Sequence, residues 1–166
     1  MALDSIFQHI FDLPFSTAIR EGETLFPTIE SIHVAAITLV VGTIGIVDLR
    51  LLGLASRRRA VTRLTGEVLP ITWTAFIVAA ITGTLLFCSN AVKYSHNPFF
   101  ISKMCLLVVA FVNMVVFHFI TSKDIHRWDE SPHTPGTAKL AGAMSIAVWL
   151  AVIVTGRWIG FTLSAF

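Results

Sequence analysis

Apolar residues fall in four long runs along this chain, at about 32–54, 71–92, 99–121 and 140–161. Each is near the ~20 residues that a helix needs to cross the hydrocarbon of a bilayer. Pro27 precedes the first run, Pro70 opens the second and Pro98 opens the third. The first turn of a helix tolerates proline, because its amide N–H has no intrahelical partner there. The connections are short, so successive helices should lie side by side and reverse direction. The expected fold is all-α: a polytopic membrane protein with an antiparallel four-helix transmembrane bundle over 31–166.

The first thirty residues follow another pattern. Leu3, Ile6, Phe7, Ile10 and Phe11 fall on one helical face, with Asp4, Gln8 and Asp12 off it. Segment 1–30 is therefore expected to be an amphipathic helix in the outer membrane interface. Packing on the bundle or on a partner subunit would use the same face. The segment lacks a basic start and carries acids throughout, which does not suit a signal peptide.

Composition agrees with the bilayer. Charged residues make up 13% of the chain, against about 25% in an average soluble domain. A net charge of +2 gives no reason to expect nucleic acid as a partner, so the placement of charge carries more than its sum. Arg50, Arg57, Arg58, Arg59, Arg63, Lys123, Arg127 and Lys139 fall on one side of the four runs, and Arg20, Lys93, Lys103 and Arg157 on the other. The richer side should be cytoplasmic. That places both termini outside, in the periplasm for a bacterial inner-membrane protein.

Ionisable residues inside a membrane are costly, so each is a candidate for function. At ~100° per residue, Glu30, His33 and Asp48 share one face of the first helix. The face should look into the bundle, with His33 near the outer end and Asp48 near the inner end. His118, in the third run, should lie at the depth of Asp48, and an Asp48–His118 hydrogen bond is expected. Arg157, in the fourth run, should lie at the depth of Glu30 and His33, with a Glu30–Arg157 pair expected. His96 and Tyr94 would border this outer cluster, and His126 the inner one. Asn113 points away from His118 and is expected to join helices through a hydrogen bond.

Each has a plainer reading. Arg50 lies on the opposite side of its helix from Asp48 and should snorkel to the headgroups. His96 reads equally as a solvated loop residue, and His33 and His118 as hydrogen-bonded structural histidines. Cys88 and Cys105 have no C-x-x-C spacing and read as small packing residues. Gly42-x-x-Gly45 and Gly156-x-x-x-Gly160 should mark close helix contacts.

The stretches ESIHVAAITLVVGTIGIVDLRLLG, NPFFISKMCLLVVAFVNMVVFH and AKLAGAMSIAVWLAVIVTGRWIGF resemble an uncharacterised family of small bacterial four-span inner-membrane proteins, a domain of unknown function. The matching features are Glu30, His33, Asp48, Arg50, Gly53, Asn97, Pro98, Lys103, Asn113, His118, Trp149, Gly156 and Arg157. More loosely, a helical membrane bundle with internal histidines is similar to b-type cytochromes and copper-resistance membrane proteins.

Three functions remain open. The first is a haem-b-binding or quinone-linked electron-transfer subunit, with His33, His118 and His96 as the candidate ligands, haem iron as the only metal, and a quinone or a periplasmic or membrane redox protein as partner. His33 and His118 are too far apart along the helices for one haem. The second is a cofactor-free accessory or assembly subunit, including a homo-oligomer. The third is a small transporter of protons or a metal ion. No nucleophile–base pair, phosphate loop or zinc-enzyme motif points to a soluble-type hydrolase.

Overall fold

The computed structural model describes residues 2–131 and 133–163. These form α1 (Ala2–Phe11), α2 (Pro14–Glu21), α3 (Leu25–Leu51), α4 (Val61–Ser89), α5 (Ala91–His96), α6 (Pro98–Phe119), a 3₁₀ segment (Thr121–Arg127) and α7 (Gly136–Thr162). Helices α3, α4, α6 and α7 are long and apolar enough to cross a membrane. No strand occurs among the described residues.

Three helices start earlier than the apolar pattern suggests, α7 by one turn and α3 and α4 by more. Helix α3 begins at Leu25, because its polar first turns bond to themselves. Thr28 Oγ1 donates to the Thr24 carbonyl and Ser31 Oγ to the Pro27 carbonyl, each at 2.7 Å. Helix α4 begins at Val61, so Pro70 does not open it but lies inside it. Proline there removes one backbone donor and crowds the carbonyl four residues earlier. That residue is Gly66, with nothing around its Cβ position within 4 Å. Pro98 does stand at the start of α6, as expected. Asn97 caps it, its Oδ1 accepting from the amides of Phe99 and Phe100. Its amide group donates to Thr162 Oγ1 at 2.9 Å, tying the start of α6 to the end of α7.

Helix α3 packs along α4 on one side and α7 on the other, and α6 packs on α7. Helix α4 makes no comparable contact with α6. The long helices thus stand in the order α4, α3, α7, α6, curved around a shared cavity. Helices α3 and α4 run in opposite directions: His33 meets Thr82, and Thr43 meets Thr72. Helix α7 comes close to α3 at Gly142, where a Cβ would stand 3.1 Å from the Asp48 carbonyl oxygen. The expected contact glycines Gly42, Gly45 and Gly160 face open space instead, and only Gly156 of that set has a close neighbour.

At the end that carries Arg57–Arg59, here called the basic end, Arg50 is fully buried. This corrects the expectation that it snorkels to headgroups. Its Nε donates to the Arg59 carbonyl at 2.8 Å, and its Nη2 to the carbonyls of Asp129 and Ser131 at 3.1 Å. Nη1 reaches Thr134 Oγ1 at 3.3 Å. One guanidinium therefore holds both connections of this end over α3. Beneath them Leu51, Val61, Trp128 and Ala138 form a buried apolar cluster. Gly53, at φ +72°, ends α3 in a left-handed turn that a side chain would strain.

Asp129 supplies the cap that Ala60 cannot. Its Oδ1 accepts from the Thr62 amide at 2.9 Å and its Oδ2 from the Thr62 hydroxyl at 2.5 Å. At the opposite end α1 lies against α5 and the end of α4, with Phe7 edge-on to Phe87. Arg20 of α2 stacks over Phe11 and donates to the Ser89 carbonyl at 3.1 Å.

Two outcomes are expected. Arg50→Leu strands several buried carbonyls and should cost about 3 kcal/mol. Thermal unfolding in detergent checks this: a loss no larger than that of Arg58→Leu would remove Arg50 from its central role. The Asp129 carboxyl feels desolvation, which raises it, but the Thr62 hydroxyl and amide bonds outweigh this and hold it below its ordinary 3.8. A carboxylate depressed in the folded state stabilises above its unfolded value, and that support is lost as pH falls through the folded one. Acidification below about pH 4 should therefore lower the thermal midpoint more in the native protein than in Asp129→Asn. Parallel curves would refute the cap.

Candidate functional site

The cavity enclosed by the four long helices has a volume of about 310 Å³. This is at the lower end of the ~300–1,000 Å³ typical of small-molecule sites. Its back wall is buried and includes Val40 and Asp48 of α3, Thr72 of α4 and Ser145 of α7. Its front is different. Leu69, Trp73 and Phe76 of α4 and Phe111 and Met114 of α6 line the cavity and are also exposed. The mouth therefore opens sideways between α4 and α6, the neighbours that lack an extended contact.

Asp48 is the group that stands out. It is 5% exposed, and its Oδ2 has no hydrogen-bond partner. Ser145 of α7 lines the cavity beside it. A buried carboxyl oxygen left unbonded costs free energy that a folded protein normally avoids. Asn113 also lines the cavity, and its amide donates to the Ala141 carbonyl of α7 at 3.1 Å. That is the interhelical bond expected of it.

The other candidates are dispersed. His118 is exposed on α6 and lies edge-on to Phe119, so the expected Asp48–His118 bond is not made. Helix α6 has no buried residue, and at that height it lines the Asp48 cavity with Met114 and Phe117, not with His118. Glu30 and Arg157 are both exposed and form no ion pair with one another. Arg157 stacks over Phe161 instead. Glu30 acts on Tyr94: burial, with that carboxylate nearby, pushes the phenol up to about 12. His96 closes α5, bonding the Val92 carbonyl at 2.9 Å, with Asp4 at 3.7 Å. His33 bonds Thr82 Oγ1 at 3.0 Å, and its ring lies where a Cβ on Gly83 would be 2.9 Å away.

Haem needs an imidazole with a free nitrogen facing a space large enough for the porphyrin. His33 is pressed against the α4 backbone, His118 faces outward, and His96 bonds its own helix. These residues do not fit a haem held within this chain. Among the described residues no group of three histidine, cysteine or carboxylate side chains is placed to hold a metal ion.

Lys103 counts in the sequence as an outer-side charge, yet its ammonium sits inside the helix array. Its Nζ lies 3.4 Å from where a Cβ on Gly156 would stand, close enough to act electrostatically on His33. Its spacing from Glu30 and His33 gives no sign of this, since they lie on another helix. Ser145 has no signal in the sequence, because a lone serine in an apolar run has no distinguishing pattern.

Four spanning-capable helices with outward apolar faces make this a multi-pass membrane protein in contact with lipid. The chain belongs to a family of unknown function, DUF6644, whose model matches residues 21–162. The match covers α3 to α7 and leaves out α1 and nearly all of α2. No curated protein and no solved structure matches the chain.

Gly83 gives a test of how His33 is held. Gly83→Ala normally strengthens a helix by about 1 kcal/mol; here it should destabilise, because the new methyl meets the imidazole. Adding His33→Ala should restore the usual helix gain. Equal effects of Gly83→Ala with and without His33 would show that the ring is not packed there.

Proposed function

We propose that this protein is a quinone-linked membrane subunit of an electron-transfer system, supplying the pocket in which a lipid-soluble quinone is held. It would sit in the bacterial inner membrane as an antiparallel four-helix bundle. The basic end would face the cytoplasm and both termini the periplasm, as the distribution of lysine and arginine favours. Helices α1 and α2 would lie along the periplasmic interface. Electrons would pass to or from a redox partner, since this chain brings no histidine pair together for a haem of its own.

The observation that carries this reading is the sideways-opening cavity with Asp48 at its back. A quinone has a flat ring with polar oxygens and a long apolar tail, and it reaches proteins through the bilayer. The aromatic walls suit the ring, and the lipid-facing mouth suits the tail. Asp48, Ser145 and Asn113 supply the few polar groups that orient a ligand in an otherwise apolar site.

Trp73 and Trp149 line the cavity, so a bound quinone should quench their fluorescence. Titrating a short-chain quinone into the protein in lipid nanodiscs should give a saturable component. Ala110→Phe places a ring inside the cavity and should weaken binding at least tenfold, about 1.4 kcal/mol. Quenching that never saturates, or that Ala110→Phe leaves unchanged, would sink the proposal.

A further inference from the structure

The interior of the bundle carries a second polar layer at the end opposite the basic one. Val40, Phe76, Ala110 and Trp149 line the cavity, one from each long helix. Seven residues further toward that end stand His33, Gly83, Lys103 and Gly156. Seven residues make about two turns, so these four lie on the same helix faces. They meet in pairs. The His33 ring fills the space beside Gly83, and the Lys103 ammonium the space beside Gly156, 3.4 Å from where a Cβ would stand. Lys103 also acts electrostatically on His33. Two glycines thus make room for two long side chains.

His33 is bonded within the protein, through Thr82. Lys103 is not. Its ammonium carries three donors, and it makes neither a hydrogen bond nor an ion pair among the described residues. Nor is it sealed in. Lys103 is only half-buried, and Asp48 Oδ2 is the one unbonded side-chain polar atom shut off from access among the described residues. The Lys103 Nζ, equally unbonded, is therefore open to a ligand. An ammonium inside a membrane protein is costly without a counter-charge, and the imidazole beside it brings none.

Depth narrows the choice of ligand. Lys103 lies about 8 Å along α6 from its start at Pro98. Helical side chains lean toward the N-terminus, which carries the ammonium toward the membrane surface at that end. The anionic oxygens at that level belong to lipid phosphates. One ammonium offsets one charge, as a phosphodiester requires, and a phosphate accepts from a point-charge donor without the planar fork of an arginine. We infer that Lys103 anchors a phosphate-binding site, filled by the phosphodiester of a phospholipid headgroup. The site is separate from the Asp48 cavity and does not rest on the quinone reading.

The test places the full-length protein in maltoside micelles, which carry no phosphate. Short-chain phosphatidylglycerol and inorganic phosphate are titrated separately at matched ionic strength. The lipid should raise the thermal midpoint saturably. Lys103→Met, which exchanges an unpaired charge for an apolar chain, should weaken that binding about tenfold or more. Gly156→Val, which keeps the charge but fills its place, should weaken it too, and Arg58→Met at the basic end should not. Native mass spectrometry should find one retained lipid fewer in Lys103→Met. Lipid binding that Lys103→Met leaves unchanged, or that Arg58→Met weakens as much, would overturn the site. So would the absence of saturable binding by either probe. Saturation by inorganic phosphate alone, lost in Lys103→Met, would keep the phosphate site and overturn the lipid as its source.

Discussion

Arg50 is a buried guanidinium with no carboxylate partner among the described residues, and it draws carbonyls from both connections of the basic end. That set of bonds folds the segment after α3 and the segment before α7 over the end of α3. It brings Trp128 into the cluster with Leu51 and Val61, and it places Asp129 against the first turn of α4. The starts of α4 and α7 are then both set relative to α3. With α3 flanked on two sides, α6 packs along α7, and it meets α4 through Phe100 stacked on Phe87 at the end away from the basic one. The separation of α4 from α6, and so the mouth of the cavity, follows from this order.

Polar side chains within the long helices fall into two kinds. His33 with Thr82, Thr43 with Thr72 and Asn113 with the Ala141 carbonyl are bonded across helix pairs. These fix the relative height of one helix on another, because a slipped register would leave both partners unbonded in hydrocarbon. Asp48 Oδ2 and the Lys103 ammonium are different: neither finds an opposite charge among the described residues. Asp48 lines a cavity, and as its one ionisable group it gives that otherwise apolar cavity a chemical character. Lys103 sits toward the other end of the same interior, beside His33 and Gly156.

The four spans are legible in the sequence because runs of about twenty apolar residues match the thickness of a bilayer and outrun the apolar stripe of a soluble helix. Their starts are not. Thr28 and Ser31 hide their hydroxyls on their own backbone, and α4 extends nearly three turns through Thr62, Arg63 and Glu67 before the apolar run begins. The inward aspect of Asp48 follows from its periodicity with His33. The partner expected for it is wrong, because periodicity gives the angle between residues on one helix and not the angle of that helix to its neighbours. His118 has a reasonable height on α6 but stands on the outer side of it. The placement of Arg50 opposite Asp48 is legible too, but its burial is not. The carbonyls that bury it come from residues 59 and 129–131, and nothing local in the sequence signals that those loops fold back.

The mouth between α4 and α6 has walls of leucine, tryptophan, phenylalanine and methionine side chains that acyl chains touch directly. On the quinone reading, a ligand entering there would displace a lipid tail rather than water. The controlling variable is then the mole fraction of ligand in the bilayer, and aqueous concentration matters only through partitioning. Membranes rich in stiff, saturated chains would vacate the cleft at a different cost from fluid ones, so the same protein would hold its ligand with a strength set partly by the host lipid.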